Sequence, residues 1–294
     1  MKKVILISLF ASASLFASSY HCNEYNQEEC TTESVTVVAD QSALNEIIIS
    51  PAKMSLANND KKAAVSAQFI YSGDVSVINI PAGYNITDNI GIEASLPIVK
   101  VSNYGFLNES NSGLGDISVG VNYHFGNFSS EYGLNISTFR YKTTTGDENK
   151  GLGLGKSAYT LSHNFAKDLA YFRAHALFSY TLNDEKVMGD SLTAMVGFSR
   201  PCLLNDKIRT NMKLTYFNTD ETTQNGFTNS SGFKKVDFWL AFNSDTFFKG
   251  IPVGAGIKIP IIDEVSYTDF SGLSHTINAN KTILFYLSAG SFFK

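Results

Sequence analysis

From Asp116 to Phe125 the chain alternates without interruption, with Ile117, Val119, Val121, Tyr123 and Phe125 on one face and Asp116, Ser118, Gly120, Asn122 and His124 on the other. A period of two marks a β-strand with one apolar and one polar side. The same alternation predicts strands near residues 63–73, 75–86, 89–101, 114–125, 129–141, 156–166, 169–182, 190–201, 207–218, 233–243, 251–262 and 281–293. Short connections at 87–89, 126–127, 166–168, 203–206 and 247–250 alternate with long polar ones at 102–113, 142–155, 183–190, 219–232 and 263–280. The first hairpin, Ser72-Gly73-Asp74, is short where a long one is due. This pattern predicts an all-β fold, a transmembrane antiparallel up-and-down β-barrel of about 12 strands with both termini periplasmic.

The strand faces then divide between lipid and lumen. Ile90, Ile92, Ala94, Leu96 and Ile98 face lipid, as do Phe172, Ala174, Ala176, Phe178 and Tyr180. The lumen takes Glu93, Asp116, Glu131, Arg173, His175, Arg209, Lys213, Lys235, Asp237 and Lys258, because Arg or Lys facing mid-bilayer lipid costs about 2–4 kcal/mol. Pairs such as Arg209 or Lys213 with Asp237 narrow the bore. Tyr104, Phe106, Tyr267 and Phe270 sit in long loops, where they serve either as an apolar landing site for a solute or as membrane-surface anchors.

Composition adds detail at the N-terminus. Lys2-Lys3, an apolar run from Val4 to Phe16 and small residues around Ala17 lay out a signal peptide over residues 1–17. Beyond it no window reaches the roughly 18 consecutive apolar residues of a spanning helix, and the mean hydropathy is -0.04, as expected where alternate residues face water. No linker divides residues 63–294, so one barrel is expected, preceded by an N-terminal periplasmic or plug-like segment at 18–62. There Thr36–Ala39 reads as a strand, Ala43–Ile49 as strand or amphipathic helix, and Ser50-Pro51 as a helix start. The 23 basic and 27 acidic residues leave no basic footprint for nucleic acid. Cys22 and Cys30 are disulfide candidates in an oxidising periplasm, with Cys202 left over, and no cysteine spacing suggests a metal. No cofactor is expected.

Two glycine-rich stretches stand out, Gly113-Leu114-Gly115-Asp116 and Thr145-Gly146-Asp147 followed by Gly151-Leu152-Gly153-Leu154-Gly155. Such glycines permit tight bends where strands meet loops, and no strand-to-helix context surrounds them to make a phosphate cradle. Together they resemble the outer-membrane family named for the meta-pathway of phenol degradation, most closely over residues 113–155. That resemblance implies passage of small organic, often aromatic, compounds. The last strand closes on Phe292-Phe293 and resembles the C-terminal strand that the barrel-insertion machinery reads, with Lys294 a departure.

Two other resemblances are set aside. Glu33–Ala39 resembles the box through which energised receptors contact TonB, but such receptors add a long plug and a 22-stranded barrel. Twelve-stranded lipid hydrolases carry a His-x-Ser pair, and His124, His163, His175 and His275 all lack a serine two residues on, so no enzyme is expected. The reading is an outer-membrane channel or transporter in contact with lipid, passing small hydrophobic or aromatic solutes by passive diffusion through a narrow polar lumen. The alternatives are a non-conducting structural or adhesive barrel and a barrel lipid hydrolase.

Overall fold

The structure, a computed structural model, describes residues 19–22, 30–33 and 63–293, the last range without 74, 105–108, 126–133, 154, 170–171, 184–188, 204–207, 221, 225–226, 231, 249–250, 269–272 and 279–282. Twelve strands form the wall: β1 Ala63–Ser72, β2 Val75–Asn85, β3 Ile90–Tyr104, β4 Ser118–His124, β5 Leu134–Lys142 and β6 Ala158–Asp168. They continue as β7 Arg173–Asn183, β8 Ser191–Leu203, β9 Ile208–Thr219, β10 Gly232–Phe248, β11 Ile251–Thr268 and β12 Leu284–Phe293. Each pairs antiparallel with its sequence neighbours, and β12 pairs with β1, from Phe285 opposite Tyr71 to Phe293 opposite Ala63. The result is a closed twelve-stranded barrel of the outer-membrane type.

The alternation read from sequence decides which side of the wall each residue occupies. Ile90, Ile92, Leu96 and Ile98 on β3, and Phe178 and Tyr180 on β7, are exposed on the outside. Between them on the inside lie buried Glu93, Ser95, Ser179 and Thr181. At one end of the barrel the links Asn85–Ile90, Asp168–Arg173, Leu203–Ile208 and Phe248–Ile251 are short, and the other end carries the longer excursions beside the tight Ser72–Val75 hairpin. Both ends of the barrel chain, Ala63 and Phe293, lie at the short-turn end.

Strand ends differ from the sequence reading where pairing continues beyond the barrel. β10 and β11 run 17 and 18 residues, well past the roughly 9–11 of a tilted bilayer-crossing strand. The expected loop at 263–280 therefore begins as strand, and Ser274–Asn278 folds back onto β11. Likewise Glu109–Leu114 pairs with the far end of β3, and Thr222–Gln224 pairs with Phe227–Ser230. The expected short link at 166–168 belongs to β6, the turn falling after Asp168. Before the barrel, Ser19–Cys22 pairs with Cys30–Glu33, with Cys22 opposite Cys30. The rest of the expected signal and plug-like segments lies outside the described residues.

Candidate functional site

On the β1–β5 side the interior closes through hydrogen bonds running from strand to strand. Asn79 donates to Gln68 Oε1 at 3.1 Å and accepts from Ser95. In the next layer Gly83, Glu93 and Gly120 lie in one cross-strand row that ends at Arg140 on β5. Arg140 reaches across β4 to form an ion pair with Glu93, its Nε donating to Oε1 at 3.0 Å. Asn122 donates to Glu93 Oε2 at 3.1 Å and accepts from Thr138 at 2.6 Å. Gly120 is what lets the bridge pass, since a Cβ there would stand 2.9 Å from the Phe139 carbonyl oxygen and 3.2 Å from Glu93 Cγ. Asn122, His124 and Thr138 have no exposed surface, so this side of the interior is packed solid.

The β9–β12 side is built differently. Lys213, Trp239 and Lys258 are neighbours in one cross-strand row of β9, β10 and β11. Lys258 Nζ lies 2.6 Å from Asp237 and 5.6 Å from the centre of the Trp239 ring. Lys235 Nζ lies 2.9 Å from Asp263 and 5.8 Å from the Phe233 ring. Tyr286 on β12 packs against Trp239 with ring centres 6.1 Å apart. A Cβ on Gly256 would lie 2.4 Å from the Tyr286 ring, and one on Gly197 2.8 Å from Lys213 Cγ. These glycines give a large side chain room to lie along the wall.

The two glycine-rich stretches meet at the long-loop mouth. The Asp116 carboxylate, 2% exposed, accepts from the Gly146 backbone N–H at 2.9 Å. Thr145 Oγ1 donates to the Gly115 carbonyl at 2.9 Å, and the Ile117 N–H donates to Thr145 Oγ1 at 2.8 Å. Asp147 then caps a short 3-10 turn at Glu148–Lys150 that ends on Gly151 in the left-handed region (φ 68°). This carries Leu152 inward onto Val75, Val77, Val99 and Val101, the inner wall of β2 and β3. Gly113 has no Cβ because Leu152 Cδ1 would lie 2.9 Å from it. The loop between β5 and β6 is thus latched at Asp116 and packs through Leu152 on the inner wall at the mouth.

The sequence-predicted residues fall as follows. Glu93, His175, Lys235 and Asp237 are buried on the inner wall, and Asp116 is buried at the mouth. Lys258 and Lys213 are half-buried on inward-facing positions of their strands, as is Arg173 near the short-turn end, and Arg209 is exposed there. His175 Nε2 lies 2.9 Å from Ser199 Oγ. Asp237 is held by Lys258. Glu131, Phe106 and Phe270 lie outside the described residues, and the backbones of Tyr104 and Tyr267 belong to β3 and β11.

Arg140 and Asp263 were missed. Taking Glu131 as inward selects the odd positions of β5, but Ile136, Thr138, Arg140 and Lys142 are the ones buried. Asp263 turns inward because of a bulge: Asp237 pairs with Pro260 but Val236 with Ile262, which shifts the alternation by one residue. Sequence reasoning also missed a pair on the outer wall, where Ser137 Oγ and His163 Nδ1 share a hydrogen bond of 2.9 Å between β5 and β6.

No family model and no curated protein matches the chain. Among solved structures it is similar to an outer membrane channel from Pseudomonas putida F1, with a TM-score of 0.61 at 13% identity over 79% of this chain and 96% of that one. The KdgM porin follows, with a TM-score of 0.46 at 8% identity over 79% of this chain and 99% of that one. A FadL homologue from Pseudomonas aeruginosa gives 0.43 at 13% identity over 80% and 76%. The first of these overlays carries the fold assignment.

Proposed function

We propose that the protein is an outer-membrane conduit that passes small organic solutes passively through a narrow bore. The carrying observation is the two-sided wall, in which exposed Val119, Val121 and Tyr123 on β4 alternate with buried Ser118, Asn122 and His124. A wall apolar outside and polar inside stands in lipid around a path for solutes. Twelve strands lie between the filled interior of eight and the open channel of sixteen, and the half-buried, inward-facing Lys213 and Lys258 favour a path along β9–β11. The proposed solute is aromatic or otherwise hydrophobic, in keeping with the resemblance to the phenol meta-pathway family. Long excursions outward and short turns with both termini in the periplasm are the usual orientation of such barrels.

Residues 18–62 are proposed as a periplasmic gate or partial plug, with a Cys22–Cys30 bridge within it, since the antiparallel register puts these cysteines opposite each other. Purified full-length protein in a planar bilayer tests the conduit. Discrete small conductance steps are expected, and deletion of residues 31–57 should enlarge them. A complete absence of steps from both proteins selects the non-conducting barrel, a reading favoured by the full burial of Asn122, His124 and Thr138.

A further inference from the structure

Across β2–β5 the membrane-facing wall dips. Ala82, Ala94 and Gly120 floor a mainly apolar groove of about 570 Å³, with Tyr84, Phe139 and Tyr141 among its walls. Its volume lies within the range of small-ligand sites, roughly 300–1,000 Å³. On the inner side of this wall, Glu93 and Arg140 meet beside Gly120, so a ligand in the groove contacts the bilayer and not the bore.

The wall changes character toward the short-turn end. The cross-strand row Val121, Phe139, Leu161 is followed by the row Tyr123, Ser137, His163. A serine and a histidine on a lipid-facing wall are costly unless hydrogen-bonded. Their mutual bond engages His163 Nδ1 and leaves Nε2 without a protein partner among the described residues. Farther along β6 the exposed residues are Phe165 and Lys167. From mid-wall to the short-turn end the order is therefore apolar groove, polar pair, cation. A phospholipid has the same order, from acyl chain to phosphate.

We propose that this wall binds one phospholipid of the leaflet at the short-turn end, with an acyl chain in the groove and the phosphate held by Ser137, His163 and Lys167. The inference rests on the barrel standing in a bilayer and not on its conducting. A second barrel is a poorer occupant, because a symmetric contact of the usual 800 Å² or so per partner would bring Lys167 toward its own copy. Charge complementarity favours an anionic headgroup.

The test is native mass spectrometry of the full-length protein after equilibration with equimolar dioleoylphosphatidylglycerol and dioleoylphosphatidylcholine, followed by exchange into detergent. One retained lipid per barrel is expected, with phosphatidylglycerol favoured about fivefold. Ala94→Phe, which fills the groove from the lipid side, should abolish retention. His163→Ala with Lys167→Ala should keep the lipid but lose the preference. Heat-modifiable migration on gels checks that each variant is folded. No stoichiometric lipid on the wild type, equal retention by Ala94→Phe, or an unchanged preference in the double variant would overturn the proposal. So would a lipid-free dimer, which makes the groove a barrel–barrel contact, and so would lysophospholipid, which makes Ser137 and His163 a hydrolytic pair.

Discussion

On β1–β5 the buried charges bond across three strands, with Arg140 passing over Gly120 to Glu93. On β9–β12 the ion pairs of Lys258 and Lys235 join adjacent strands, and both lysines also face the rings of Trp239 and Phe233. The first arrangement ties three strands together through one buried network, in which Glu93 holds both Arg140 and Asn122. The second neutralises charge between neighbouring strands and sets its cations against the buried rings of Trp239 and Phe233. The same inward-facing chemistry thus yields two kinds of wall, and the difference lies in how far each bond reaches.

The comparison breaks most sharply at Arg140. Arg140→Ala leaves Glu93 buried without its cation, and about 3–5 kcal/mol of stability should be lost, measured as a lower urea midpoint in lipid–detergent micelles. Lys258→Ala should cost less, because the Lys258 side chain is 12% exposed against 4% for Arg140. Equal losses would erase the distinction between the sides. Gly120→Ala comes next, at about 1–3 kcal/mol. Its loss should not add to that of Arg140→Ala, because both remove the same bridge.

Leu152→Ala sharpens the comparison at the mouth. Removing its contact with the β2–β3 valines forfeits about 2–5 kcal/mol, enough to move a two-state loop toward open by more than tenfold. Larger single-channel steps are expected, and unchanged steps would mean that the bore is narrowest elsewhere. Arg209→Glu with Lys213→Glu tests the proposed path along β9. The reversal potential under a salt gradient should move toward cation selectivity, and a conducting variant with no shift would put the path away from β9.

How much of this was legible depended on how far along the chain each interaction ran. Period-two alternation is local, so the twelve strands and the lipid-facing residues of β3 and β7 followed from the sequence directly. Facing is also local until a bulge intervenes, and the skipped position before Ile262 hid Asp263. Interstrand bonds are not local. Arg140 with Glu93, Ser137 with His163, and Asp116 with Gly146 depend on register or on the path of a loop. The two glycine motifs were visible as motifs, but their joint role was not, because Leu152 meets residues about fifty to eighty positions away.

The seam between β12 and β1 puts assembly in a fixed order. Ala63 pairs with Phe293, so the cylinder closes only after its final strand has been synthesised. A loop-closure entropy of roughly 5 kcal/mol opposes that joining. Until then two long strand edges stand unpaired, each a template for the wrong neighbour. The ring is consequently most vulnerable just before it is complete, and a truncation at the C-terminus would remove the strand that closes it.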